Sequence, residues 1–140
     1  YGPPIAKLVA AQLREVGIEA SVEELDFSTW LSQVYTQHDY DMTVVAHVEP
    51  WDLSQFANPN YYWQYNNPQF AELINKADAA ATNTEQETTL KEAAKLLADD
   101  AAADWLFLLP NLVVTTTEIS GITTNTTGLS FDMTHVATSR

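Results

Sequence analysis

The sequence contains no cysteine, and this absence excludes several kinds of chemistry at once. Disulfide bonds, thiol nucleophiles and thiolate metal sites all require that residue. Histidine does not replace it, because none of the three histidines has a partner at the spacing of a metal site. We therefore expect neither a metal nor a cofactor.

Basic residues are also few. Six Lys and Arg stand against 19 Asp and Glu, which gives a formal net charge of −13, and the six are scattered along the chain. Nucleic acids and anionic membrane surfaces need clustered positive charge, so neither is an expected partner. The acidic surplus is compatible with a cationic or zwitterionic ligand, although such a surplus more often serves solubility.

Glycine and long apolar runs are scarce as well. The four glycines are not grouped, so there is no glycine-rich phosphate loop, and no serine lies in a Gly-x-Ser-x-Gly turn. No apolar run is long enough to span a membrane. The N-terminus lacks Met and is neither a signal peptide nor a lipidation motif. We expect a piece of a longer protein, with its signal sequence elsewhere.

Helical and strand patterns alternate in the first part of the chain. A helix opened by prolines is expected to end at Gly17, followed by a strand over 19–26. Asp26 or Ser28 can cap a second helix, and a strand over 40–48 follows. This order favours an α/β fold with a mostly parallel sheet flanked by helices. The length and the 46% hydrophobic content fit a single domain over 1–140.

Aromatic residues accumulate between Glu49 and Asn67, where the periodicity disappears. We expect an ordered loop whose rings mostly pack it onto the domain. Asn67 should then cap a helix, and Thr84 to Glu87 has the spacing of a capping box that starts a longer one. The apolar run 105–109 predicts a buried strand, and 112–114 resumes extended structure after Pro110.

The candidate site lies where the strand 40–48 ends. Ligands in open α/β sheets bind at the carboxyl ends of strands, and here Glu49 and Asp52 stand three residues apart, beside Trp51 and near His47. Paired carboxylates can serve glycosidic acid–base chemistry, metal binding or the capture of an ammonium group, and the spacing does not separate these roles. The indole favours a cationic or sugar ligand.

Several short segments in one order and spacing carry a family resemblance. They are 6–13 with Gly17 and Ile18, 27–31, Tyr40-Asp41, Glu49-Pro50-Trp51-Asp52 with Phe56, Tyr65-Asn66-Asn67-Pro68, 73–77, 90–100, and Leu108-Leu109-Pro110 with Gly121. Over nearly its whole length, the chain resembles the extracellular solute-binding proteins of the peptide/nickel type (family 5), which deliver ligands to ABC importers.

The resemblance implies one lobe of a two-lobed, periplasmic-binding-protein-like (type II) fold. The chain would be most of the C-terminal lobe, and its partners would be the N-terminal lobe of the same protein and the permease of an ABC transporter. A peptide or other small cationic or zwitterionic solute would bind between the lobes without being chemically changed. The protein would be periplasmic or a cell-surface lipoprotein. Because affinity would come from lobe closure, the isolated chain should bind weakly or not at all.

The resemblance also assigns site residues. In peptide-binding relatives an aspartate after the strand pairs with the ligand's α-ammonium group, and that position is Glu49 here, one methylene longer. Ala46 replaces a tryptophan often found three residues earlier, which should reshape the pocket. Asp52 stands in the Asp-Pro position of the family and is expected to hold the turn. Phe27 falls where relatives can present an aromatic ring to the ligand. With His47 and Trp51, which stand beside Glu49 at the strand end, the expected ligand-binding residues are Glu49, His47, Trp51, Phe27 and Asp52, with no catalytic residue.

Two other interpretations remain open. The sequence also fits a small secreted carbohydrate-active enzyme, with Glu49 and Asp52 as the acid–base pair and the aromatic loop as a sugar platform. It also fits an acidic interaction module without a ligand pocket, in which all the loop aromatics belong to the core.

Overall fold

The computed structural model describes residues 1–49, 51–110, 112–124 and 131–139. The chain divides into two compact units, Tyr1–Ala46 and His47–Arg140. The single domain expected from the sequence stays a prediction.

The first unit opens with helix α1, Gly2–Glu15. Gly17 ends it with φ of +86°, a conformation that glycine adopts without strain. The Gly17 N–H donates to the Arg14 carbonyl at 3.0 Å and the Ile18 N–H donates to the Leu13 carbonyl at 2.9 Å. These two bonds form a Schellman cap and satisfy carbonyls that the helix end leaves free. The predicted helix and its glycine stop are confirmed.

Helix α2, Phe27–Trp30, continues directly into a π-helical turn, Leu31–Thr36. The Asp26 carboxylate caps α2, because it accepts hydrogen bonds from the backbone N–H groups of Ser28 and Thr29, both at 3.0 Å. The Ser28 hydroxyl bond, followed by the bonds from Thr29, holds the pKa of Asp26 far below its usual range. Asp26 is thus confirmed as the cap of the second helix.

The second unit contains α3 (Asp52–Gln55), α4 (Pro68–Asp78) and α5 (Asn83–Asp99). Helices α4 and α5 pack against each other, and the aromatic loop before α4 closes one side of the core. The apolar residues buried there are Phe56, Phe70, Ile74, Ala93 and Leu97. The loop is therefore anchored to a two-helix core, which fixes the position of the candidate site.

Both long helices of this unit have side-chain caps. Asn67 accepts hydrogen bonds from the N–H groups that open α4, which confirms the predicted cap. Thr82, not Thr84, caps α5: the Thr82 hydroxyl accepts from the Glu85 N–H at 3.2 Å, and the Glu85 carboxylate accepts from the Ala81 N–H at 3.3 Å. The predicted capping box was wrong by two residues, because both threonines precede a Glu at the same spacing.

The expected α/β fold with a mostly parallel sheet is wrong. Among the described residues the sheet has two short antiparallel strands, β1 (Ile119–Ser120) and β2 (Ala137–Thr138), with Ile119 opposite Thr138. The predicted strands 19–26, 40–48 and 105–109 form no ladder with described residues. A strand exists only when a neighbour receives its hydrogen bonds, and side-chain pattern alone does not supply that neighbour.

Candidate functional site

His47 is the first residue of the second unit, and both of its ring nitrogens are engaged. Nε2 lies 2.6 Å from the Tyr62 hydroxyl, and Nδ1 lies 3.1 Å from Oδ2 of Asp52. In the neutral ring, the Tyr62 O–H donates to Nε2 while the Nδ1–H donates to the carboxylate. The imidazole thereby ties Asp52 and Tyr62, two positions of the aromatic loop, to the start of the unit.

An aromatic cluster surrounds this hydrogen-bonded chain. The His47 ring stacks on Tyr62, and the Trp63 ring lies 5.0 Å from it at a tilt. Trp63 also stacks on Phe56 with ring centroids 3.9 Å apart. Tyr62 and Phe56 are buried. The expectation that most rings pack the loop onto the core is confirmed, and His47 belongs to that packing.

Asp52 begins α3 and is held from two directions. Its N–H donates to the Glu49 carbonyl at 3.4 Å, while its Oδ2 lies 3.1 Å from Nδ1 of His47. Oδ1 is buried and has no hydrogen-bond partner among the described residues. Only 22% of the Asp52 side chain is exposed, so most of it lies in the protein interior. This geometry gives Asp52 a part in fixing the turn.

Glu49 and Trp51 are both exposed, whereas Asp52 at the end of the same turn is half-buried. The Trp51 residue is 74% exposed, which leaves most of the indole open to solvent, and the Glu49 residue is also exposed. Pro50, between them, lies outside the described residues. A negative charge and a large aromatic surface are thus available in one short turn, whose geometry His47 and Asp52 hold.

Phe27 belongs to the first unit. Its ring stacks on Trp30 with centroids 5.7 Å apart and planes 6° from parallel. The Trp30 indole is fixed in turn, because its Nε1–H donates to the Thr43 hydroxyl at 2.9 Å. Phe27 itself is 67% exposed, so a supported aromatic face is open to solvent in this unit.

A second polar network joins the start of α4 to the end of α5, and no sequence motif indicated it. The Tyr65 hydroxyl and the Asn67 side-chain amide both donate to Oδ2 of Asp100, at 2.6 and 2.7 Å. Burial, reinforced by the hydrogen bond and the charge of Asp100, raises the pKa of Tyr65 to about 12. The same two bonds lower the pKa of Asp100. The partners lie more than 30 positions apart, where no spacing rule applies.

The assignment of Glu49, His47, Trp51, Phe27 and Asp52 to a ligand stays a prediction. Within the described ranges, no set of three or more His, Asp or Glu side chains is placed to hold a metal ion. No helix of the described part is both long and apolar enough to cross a membrane. Comparison of the chain with protein-family models, curated proteins and solved structures found no match.

Proposed function

We propose that this chain forms part of the solute-binding component of an ABC importer and captures a peptide or other small solute that carries a cationic group. The observation that carries the proposal is Trp51, 74% exposed in the same turn as the exposed carboxylate of Glu49. The order of sequence motifs described above supplies the transport context.

An indole and a carboxylate in one turn suit a cation for two physical reasons. The face of an indole attracts cations through its quadrupole. A carboxylate forms charge-assisted hydrogen bonds with an ammonium group. Covering an exposed tryptophan with a ligand also favours binding, because it removes apolar surface from water. Glu49 would therefore neutralise the ligand's charge, and Trp51 would cover its carbon skeleton.

The neighbours of these two residues supply rigidity. His47 is fixed by Tyr62 and Asp52, and Asp52 closes the turn that begins at Glu49. A binding group held by supporting side chains loses less conformational freedom when a ligand arrives. Under this proposal His47 and Asp52 position the turn.

The proposal includes a setting and partners. The protein would work outside the cytoplasmic membrane, periplasmic or attached to the cell surface, and would deliver its solute to the permease of the transporter. A further lobe of the same polypeptide would contribute the other side of the ligand site. No chemical conversion of the ligand is involved.

An immunoblot of fractionated source cells, with an antibody against this chain, tests the setting. The proposal expects a band several times heavier than 15.6 kDa in the membrane or secreted fraction. A soluble cytoplasmic band near 15.6 kDa would contradict it.

The substitution Glu49→Gln separates capture from glycoside cleavage. In a binding protein the variant should lose affinity for a cationic solute, and neither form should cleave chromogenic glycosides. In a glycosidase the variant should lose turnover while keeping most of its substrate binding. If the unmodified protein cleaves glycosides and Glu49→Gln does not, the proposed binding function is wrong and the chain is a glycosidase.

A further inference from the structure

Tyr62 carries a buried hydroxyl group behind the turn that begins at Glu49. The residue is 1% exposed, so a ligand held at the surface of the turn does not reach it. Its hydroxyl oxygen lies 2.6 Å from Nε2 of His47. The Tyr62 hydroxyl is therefore the inner end of a chain of hydrogen bonds that leads from the interior to the turn.

The chain of hydrogen bonds continues through His47 and Asp52. Nδ1 of His47 lies 3.1 Å from Oδ2 of Asp52, and the Asp52 N–H donates to the Glu49 carbonyl at 3.4 Å. Oδ1 of Asp52 is buried and has no hydrogen-bond partner within the described part of the chain. A mostly buried carboxylate that also lost its contact with His47 would be costly, so the position of Asp52 depends on a hydrogen at Nδ1.

The Tyr62 hydroxyl decides which ring nitrogen of His47 carries that hydrogen. A neutral imidazole has one N–H group and one acceptor nitrogen. When the phenol O–H donates to Nε2, the hydrogen of the ring is on Nδ1 and faces the Asp52 carboxylate. Without the phenol donor the ring can carry its hydrogen on Nε2 instead. Nδ1 and the carboxylate would then face each other as two acceptors, and their contact would be lost.

We propose that Tyr62 is a positioning residue of the ligand site, which holds His47 in its Nδ1–H tautomer and thereby fixes the turn that presents Glu49. This inference rests on the proposed function, in which Glu49 captures a cationic group. A turn that is fixed beforehand loses less conformational freedom when the ligand binds. Removal of the Tyr62 hydroxyl should therefore lower the affinity for a ligand that never contacts it.

The tautomer of His47 can be measured without any ligand. The method is long-range proton–nitrogen NMR spectroscopy of the protein, at the length its source cell makes, with 15N-labelled histidine. The buffer is alkaline, because an ordinary histidine is neutral there. The signal that disappears in His47→Gln identifies the ring. We expect the Nδ1–H tautomer in the unmodified protein and a mixture that includes the Nε2–H tautomer in Tyr62→Phe.

Calorimetric titration of the same protein with alanylalanine and with its N-acetylated form measures the effect on binding. Tyr62→Phe keeps the ring and removes the hydroxyl, and it should weaken binding of the free dipeptide about three- to tenfold, as loss of one hydrogen bond does. Tyr65→Phe is the matched control, because it also removes a phenol O–H that donates at 2.6 Å, in this case to Asp100. Both variants should lose a similar free energy of unfolding, but Tyr65→Phe should keep the affinity of the unmodified protein.

Three results would overturn the inference and leave the proposed function standing. These are the Nε2–H tautomer at His47 in the unmodified protein, an affinity that Tyr62→Phe does not change, or equal losses of affinity in Tyr62→Phe and Tyr65→Phe. A fourth result is distinguishable from these. If the unmodified protein does not prefer the free dipeptide to the acetylated one, capture of a cationic group is itself wrong, and the inference fails with it.

Discussion

At the scale of single residues, Phe56 occupies the centre of the aromatic cluster. It is 5% exposed, stacks on Trp63 with centroids 3.9 Å apart, and meets Tyr65 and Phe70 edge to ring. Phe56→Ala should lower the free energy of unfolding by about 3–5 kcal/mol, because it removes a buried ring and leaves a cavity. Urea denaturation followed by tryptophan fluorescence measures this.

The control for Phe56 lies in the same unit. Phe131 is 46% exposed, so Phe131→Ala should change the free energy of unfolding by less than about 0.5 kcal/mol. Similar losses in the two variants would show that the cluster does not form as described.

Tyr65 provides a residue-scale prediction about titration. Its pKa is raised to about 12, first by burial and then by the Asp100 carboxylate. Tyrosinate absorbance against pH should therefore reveal one late-titrating tyrosine, which Tyr65→Phe removes. Asp100→Asn should lower that pKa only part of the way to its ordinary value, because burial remains. A titration curve unchanged in both variants would contradict the network.

The raised pKa of Tyr65 also has a consequence for stability. The folded state favours the protonated phenol, so its contribution is complete below the unfolded pKa of about 10. The contribution is lost as pH rises from there through about 12. Between these values the wild-type protein should lose stability more steeply than Tyr65→Phe, as urea midpoints at successive pH values would show.

At the scale of elements, the start of α5 separates two threonines that look equivalent in sequence. Thr82 accepts the Glu85 N–H, while Thr84 is inside the helix. Thr82→Ala should lower the free energy of unfolding by about 0.5–2 kcal/mol, as loss of an N-cap does. Thr84→Ala should be nearly neutral. Urea midpoints measure both losses. A larger loss in Thr84→Ala than in Thr82→Ala would show that Thr84 caps the helix, as the sequence predicted.

The elements that the sequence predicted correctly depend on short-range chemistry. Each of these signals involves residues within about one helical turn of one another. They are the glycine that ends α1, the Asp26 cap of α2, and the cap and proline that open α4. Such signals are complete within a few positions. Thr82 and Thr84 both fit the capping-box spacing, so the sequence alone does not show which of them caps α5. The position of the first helical turn decides it.

The predicted strands failed for the opposite reason. Segments such as 105–109 have the side chains of a buried strand, but a ladder needs a second segment at the right distance, which composition does not specify. The same limit applies to the site. The exposed pair Glu49 and Trp51 was visible as a motif, whereas the contact of His47 with Tyr62 joins residues 15 positions apart.

At the scale of the whole molecule, charge is the dominant feature. The net charge is −13, and the Lys and Arg ion pairs of the described residues, Lys7–Glu24, Arg14–Glu19, Lys91–Glu87 and Lys95–Asp99, are all exposed. Exposed pairs contribute about 0–1 kcal/mol each. Repulsion among the surplus carboxylates should therefore outweigh them, so screening should stabilise the fold.

The measurement is the urea midpoint in increasing potassium chloride. It should rise with salt, and the rise should be smaller in Glu92→Lys, which reduces the surplus at an exposed position of α5. A midpoint that falls with salt would show that the ion pairs outweigh the repulsion.

The central claim is that Glu49 captures a cationic group, and calorimetric titration of the protein, at the length its source cell makes, tests it most directly. The titrants are dipeptides with a free α-ammonium group and their N-acetylated counterparts. We predict that the free forms bind at least about tenfold more tightly, as expected for a charge-assisted contact. The difference should disappear in Glu49→Gln and persist in Glu72→Gln, an exposed glutamate of α4. Equal affinities for the two forms, or a preference that survives Glu49→Gln, would contradict the account.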